Sequence, residues 1–234
     1  MFDQMEKIIL FFRKKIVIYL RLSRFIWLEY FTRLSIADKN TVLSKKTPVV
    51  LVAGIYASAR SLVPLKKFLE LHGFAVYLPP QKKNTEAISI LAEKLAQQIL
   101  AIPQKKVQVI ACSMGGITVL AAAQNSRIAE KISQIITLGS PFAGCYLGSL
   151  VFWEYWRNQK YLKYLSRETT KLTSDKHLNK KVRALFARHD GLVFPQKCAI
   201  LLGAKENIEL PVDGHVSLIF SPKVWREIIC RLDN

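Results

Sequence analysis

The stretch VIACSMGGITVLAAAQ, Val109–Gln124, decides how this chain is read. Val107–Cys112 is a short apolar run bounded upstream by IPQKK, which predicts a buried strand. Beyond Ser113, the residues Ile117, Leu120, Ala121 and Gln124 recur at helical spacing, so a helix begins at once. A strand-to-helix turn without loop residues forces its junction residue into strained backbone. Ala111 and Gly115, flanking Ser113, are small enough to let the backbone come that close. Such a turn exposes the Ser113 hydroxyl at the carboxyl edge of a sheet, the position from which a nucleophile is presented.

Outward from this point the pattern alternates. TPVVLVAGIYAS predicts a strand over Val49–Ala53 that runs into a Gly-containing loop, and SLVPLKKFLELHG an amphipathic helix stopped by Gly73. FAVYLP reads as the next strand, and NTEAISILAEKLAQQILAIP as a helix opened by Asn84 or Thr85 and closed before Pro103. QIITLG, VRALFA (Val182–Ala187) and CAILLG follow as strands, and SPKVWREIICRL as a final helix. Strands alternating with helices imply a mainly parallel sheet covered on both faces, with its sites at the carboxyl ends of the strands. A length of 234 residues suits one such α/β domain with additions, and no internal repeat or low-complexity tract is visible.

The charge balance points to a partner. The 35 Lys and Arg against 17 Asp and Glu give +18, which favours an anionic surface such as nucleic acid or an anionic membrane face. No nucleic-acid-binding signature appears, and the mean hydropathy of +0.16 is high for a soluble protein. We therefore expect no nucleic acid partner and a peripheral membrane location, on the cytoplasmic face. Residues 1–46 form the N-terminal segment, in which EKIILFFRKKIVIYLRLSRFIWLEYF interleaves apolar and basic residues. No apolar run reaches the roughly 20 residues of a spanning helix, and no small-residue cleavage site is present. Ile9, Phe12, Ile16, Tyr19 and Leu20 at helical spacing suit an interfacial helix; a helix packed on the domain and an uncleaved anchor are the other readings. The cysteines are Cys112, Cys145, Cys198 and Cys230, with no metal-ligand spacing, and Cys112 and Cys198 fall in apolar runs as buried thiols.

A serine needs a base, and the base an acid to orient it. Of the four histidines, His72 closes a helix before Gly73 and His177 sits in the charged stretch SDKHLNKK. His189 directly follows a strand and competes with His215, which lies in a Gly-containing loop before the last helix, well past the last strand predicted above. His215 is the better base. For the acid, LFARHDGLVFP puts Asp190 just after a strand, where an Asp-Gly turn is the plainer reading, and Asp213 is the rival.

From about Pro48 onward the chain resembles an α/β-hydrolase of the lipase and esterase kind. The motifs VLVAGIYAS, ACSMGG, TLGSPFAG, HDGLVFP and GHVSLIFSP carry the resemblance, in the right order. It implies an α/β-hydrolase fold over residues 47–234, with a mainly parallel central sheet flanked by helices and a helical lid or cap at about 143–180. It also implies Ser113 as nucleophile, His215 as base and Asp190 as acid, in the chain order of that family. Two positions depart from the pattern. Ala53 stands where a loop-supporting histidine is usual, which puts the rigidity of that loop in question, and Ala111 replaces the first glycine of the elbow.

The implied chemistry is ester hydrolysis through an acyl-enzyme, with the backbone N–H groups of Met114 and Ile55 holding the oxyanion and no cofactor or metal required. CYLGSLVFWEYWRNQKYLKY, Cys145–Tyr164, falls where a lid would lie. Phe152, Trp153 and Trp156 are candidates to line an acyl pocket, and Arg157, Lys160 and Lys163 to face headgroups, or the segment simply covers the domain. A lipid ester is the expected substrate. Transfer to an acceptor other than water, thioester cleavage, and a non-catalytic membrane-bound binding protein are the alternatives.

Overall fold

The computed structural model describes residues 45–81, 84, 86–144 and 171–232. Its centre is a six-stranded, wholly parallel sheet in the order β2-β1-β3-β4-β5-β6. The strands are β1 (Val49–Val52), β2 (Val76–Tyr77), β3 (Val107–Cys112), β4 (Ile132–Leu138), β5 (Val182–His189) and β6 (Glu206–Asp213). The helices are α1 (Val63–Leu71), α2 (Ile88–Leu100), α3 (Met114–Ala122), α4 (Ser126–Lys131), α5 (Lys176–Asn179), α6 (Ser217–Phe220) and α7 (Pro222–Ile229).

Strands β1 and β3 are buried along their whole length, as apolar runs must be when helices cover both faces. The strand period of two then splits the core. Val50, Val52, Val109, Ala111 and Ile135 pack with α2 and α3 on one face. Val49, Leu51, Ile110, Ile136 and Leu138 pack with α1, α6 and α7 on the other. Burying one such Ile or Leu contributes roughly 1.5–3 kcal/mol. A polar row crosses the sheet near the amino ends of its strands. Gln108, Gln134 and Arg183 bond in sequence, and Arg183 Nε donates to Glu206 at 2.9 Å. Each polar side chain of this row thereby finds a partner.

The structure differs from the sequence reading at three places. CAILLG is not a strand: Gln196–Ala199 form a 3₁₀ turn, and Cys198 and Ala199 pack with Phe186 and Val193. Asn207 closes this turn, accepting from Leu201 N–H at 2.9 Å and donating to Leu201 O at 3.0 Å. The strand is instead β6, where Ile208, Leu210 and Val212 turn to the core while Glu206 and Glu209 pair with Arg183 and Arg188. Being an edge strand, it tolerates Pro211. Second, α2 begins at Ile88 with Ala87 at its cap position, so Asn84 does not open it, and Thr85 lies outside the described residues. Third, the predicted first helix starts as a 3₁₀ turn over Ala59–Leu62, capped by Ser58, before α1.

Residues 1–44 and 145–170 lie outside the described residues, and with them most of the N-terminal segment and of the predicted lid. Among the described residues, no helix is long and apolar enough to cross a membrane.

Candidate active site

Ser113 stands at the carboxyl end of β3, between the ends of β1 and β4. It follows β3 directly, with φ +52° and ψ −127°, a conformation that costs on the order of 1–3 kcal/mol for a residue with a side chain. Its surroundings hold it there. Ser113 N–H donates to Leu138 O at 2.8 Å, and Ser140 Oγ donates to Ser113 O at 2.7 Å. A Cβ on Gly115 would come within 2.8 Å of Ala53 O, so only glycine lets α3 approach β1 this closely. A Cβ on Gly116 would strike the side chain of Ser140, so the GSPF segment after β4 packs into the gap that Gly116 leaves.

His215 arrives from a different direction. Because β6 ends at Asp213, His215 stands only two residues beyond a strand, closer than the sequence reading placed it. Its ring lies against Gly139 (φ +64°), where a Cβ would be 3.0 Å from both Nδ1 and Cε1. Gly139 is one residue past Leu138, the register partner of Cys112, so the ring packs beside the strand end next to Ser113. No hydrogen bond joins Ser113 Oγ to His215 among those of the described residues; such bonds often tighten only once substrate is bound.

The two carboxylate oxygens of Asp190 have different partners. Its Oδ1 accepts the N–H groups of Leu192 (2.8 Å) and Val193 (2.9 Å), the mark of a turn residue. Its Oδ2 accepts from His215 Nδ1 at 2.7 Å. Burial pushes the Asp190 carboxyl upward, yet the charge and hydrogen bond of His215 and the two backbone donors outweigh it. The net result is a carboxyl held below its ordinary value. The rival acid, Asp213, bonds His189 Nδ1 instead, also at 2.7 Å. His72 caps α1 with Nδ1 2.8 Å from Phe68 O, and His177 is exposed on α5.

The proposed donors flank the serine. Met114 is the first residue of α3, and Gly54, just before Ile55, packs so closely that a Cβ there would lie 2.9 Å from Ser113 Cβ and 3.6 Å from Oγ. The N–H groups of Ile55 and Met114 have no acceptor among the described residues. Beside them is a small cavity lined by Ile55, Met114, Thr118, Asn84, Ile88 and Leu91. Cys112 and Cys198 are buried thiols, and burial pushes the Cys112 thiol up to about 12, so it stays protonated and inert beside the serine. No group of three or more His, Cys, Asp or Glu side chains among the described residues is arranged to hold a metal ion. Phe152, Trp153, Trp156, Arg157, Lys160 and Lys163 lie outside the described residues.

The sequence reading missed Gln81 and Asn84, which brace the loop of Ile55, and the role of Ser140. Asn84 carried one signal: a residue tolerant of positive φ in a polar loop (its φ is +47°).

No family model matches the chain, and no curated protein matches it. Solved structures do. Lipase B of Aspergillus fumigatus aligns with a TM-score of 0.64 at 20% identity over 81% of this chain, which spans about half (53%) of that one. The mature lipase BlEst2 of Bacillus licheniformis gives 0.64 at 18% identity, covering 81% of this chain and 93% of its own. A lipase-esterase related protein from Clostridium acetobutylicum gives 0.62 at 18%, covering 79% and 93%. This chain has the α/β-hydrolase fold that those lipases and esterases share.

Proposed function

We propose that this protein is a serine hydrolase that cleaves a carboxylic ester through an acyl-enzyme on Ser113, with His215 as base and Asp190 as the acid that orients it. The observation that carries the reading is the buried His215–Asp190 bond, seated against Gly139 beside a serine in strained backbone. Asp190 Oδ2 accepts the Nδ1–H of His215, which leaves Nε2 with the lone pair that a base needs. As Ser113 Oγ attacks the carbonyl carbon, its proton passes to Nε2 and the carbonyl electron pair moves to oxygen. Met114 and Ile55 N–H meet that oxyanion, each worth about 3 kcal/mol in barrier height. Collapse breaks the ester C–O bond, and His215 returns the proton to the departing alcohol. Water repeats the sequence and frees the acid and Ser113.

The substrate we propose is a lipid ester met at an anionic membrane face. The lipases among the similar structures and the charge of +18 support this. The test is labelling by a fluorophosphonate probe, followed by hydrolysis of p-nitrophenyl esters of rising chain length with and without anionic vesicles. Wild type should be labelled and Ser113→Ala should not. Turnover surviving in Ser113→Ala at a tenth of wild type or more would sink the assignment. For the lipid reading, residues 1–34 are deleted. The truncated chain should keep its activity on short soluble esters and lose vesicle binding, most visibly at low salt, where the basic residues act most strongly. Equal vesicle binding by both forms rejects the interfacial role of that segment.

A further inference from the structure

The loop after β1 lacks a supporting histidine, Ala53 standing in that place, yet its backbone is held from outside. Gln81 Oε1 accepts the Ala53 N–H at 2.7 Å. Asn84 Nδ2 donates to Ala53 O at 3.1 Å, to Gly54 O at 3.2 Å and to Gln81 Oε1 at 3.2 Å. Asn84 is buried and carries φ +47°, a region that few residues other than glycine enter and that asparagine enters most readily. A strained, buried amide that binds two successive carbonyls of another segment is a brace.

What the brace aims follows from the peptide bond itself. Gly54 C=O and Ile55 N–H belong to one planar trans unit and point in opposite directions. Holding the Gly54 oxygen on one side therefore fixes the Ile55 N–H on the other. Gly54 itself is pressed against Ser113, so the plane cannot swing towards the serine either. We propose that Asn84, seated on Gln81, is a positioning residue that aims the Ile55 N–H at the oxyanion. This rests on the serine-hydrolase reading above: Asn84 lines the cavity beside Ile55 and Met114, but its amide is taken up by Ala53 O, Gly54 O and Gln81 Oε1, so it acts on the oxyanion through Ile55.

The test compares full-length Asn84→Gly and Asn84→Asp with wild type on a p-nitrophenyl ester. Glycine adopts φ +47° without strain, so it keeps the turn and removes only the amide. Aspartate keeps the shape and loses the donor. In both, kcat should fall about tenfold to a hundredfold, as for a donor displaced by a fraction of an ångström to one ångström, while KM stays within about twofold. The inhibition constant of a trifluoromethyl ketone, whose adduct carries the oxyanion, should rise by the same factor, which a general loosening of the fold would not produce. Wild-type kcat in Asn84→Gly overturns the proposal and makes Asn84 a turn residue only. So does a glycine variant that fails to fold, or a loss of activity without the matching change in inhibitor affinity. If the wild type is neither labelled by fluorophosphonate nor hydrolytic, the serine-hydrolase reading itself falls and takes this one with it; labelling that survives alongside normal Asn84→Gly kinetics removes this inference alone.

Discussion

Two histidine–aspartate pairs stand at the tips of β5 and β6, and distance does not distinguish them. His215–Asp190 and His189–Asp213 both measure 2.7 Å from Nδ1 to carboxylate oxygen. Their residues even alternate along the chain, His189 beside Asp190 and Asp213 just before Gly214 and His215. Surroundings separate them. The side chains of His215 and Asp190 are 9% and 3% exposed, those of His189 and Asp213 55% and 67%. In the first pair the second carboxylate oxygen is filled by two backbone donors and the ring is wedged on Gly139. The second pair is a cross-strand contact, since His189 and Asp213 are register partners at the end of the β5–β6 ladder. The lesson is that a candidate catalytic pair is told from a surface pair by what immobilises and desolvates it, because the same hydrogen bond in water holds nothing in place.

The sharpest way to break that distinction is to exchange one carboxylate oxygen for an amide nitrogen in each pair. Asp190→Asn should lower kcat about ten-thousandfold, because an amide NH₂ facing Nδ1 selects the imidazole tautomer that has no lone pair at Nε2. Asp213→Asn should leave kcat within about threefold. Steady-state kinetics on one soluble ester decide it, and the opposite ranking would hand the acid role to Asp213.

Next in size is Gly139→Ala, which touches only the inner pair. The position has φ +64°, and the new Cβ would meet Leu218 Cδ1 at 2.8 Å and the His215 ring at 3.0 Å. The ring must move, so kcat should fall about tenfold to a hundredfold. The backbone strain should destabilise the fold by about 1–2 kcal/mol as well. A variant with unchanged kcat would show that the ring is not held where the bond to Asp190 suggests.

A smaller effect concerns acid. The Asp190 carboxyl is held below its ordinary value in the folded chain, so folding favours its ionised form. That contribution is fully present above the unfolded value of about 4 and is lost as pH falls through the lower folded value. Thermal melts of wild type and Asp190→Asn should therefore differ most near neutrality and converge below about pH 4. A gap that stays constant with pH would mean that the carboxylate charge contributes nothing to stability.

How much of this was legible depends on how local each signal is. The elbow was readable because a buried strand, a serine between small residues and a helix follow one another without a break. Asp190 was readable as a turn residue or as a histidine partner, and its two oxygens divide accordingly: Oδ1 closes the turn and Oδ2 takes the histidine. Strand β6 was hidden because CAILLG upstream has the more apolar composition. An edge strand instead alternates, with Glu and Asp on its open side and Pro211 where no ladder bond is needed. The brace of Gln81 and Asn84 was illegible for another reason. Two polar side chains in a loop acquire meaning only when folding brings them to backbone groups about thirty residues away.

The smallest expected effect sharpens the comparison from the exposed side. His189→Ala removes the ring that faces Asp213, but it leaves the backbone bond from Gly214 N–H to His189 O (2.7 Å) that closes the ladder. It also leaves the bond from Ser217 Oγ to Asp213 O (2.6 Å) at the start of the following turn. Those two bonds, not the exposed side-chain contact, set the path of the chain into His215. A solvated pair of this kind contributes about 0–1 kcal/mol and less at high salt. The variant should therefore unfold within about 1 kcal/mol of wild type, with kcat within about twofold, and added salt should narrow even that difference. Urea unfolding at low and high salt, run beside ester hydrolysis, measures both. A tenfold loss of kcat without loss of stability would mean that His189 takes part in the chemistry after all, and exposure alone would no longer separate the two pairs.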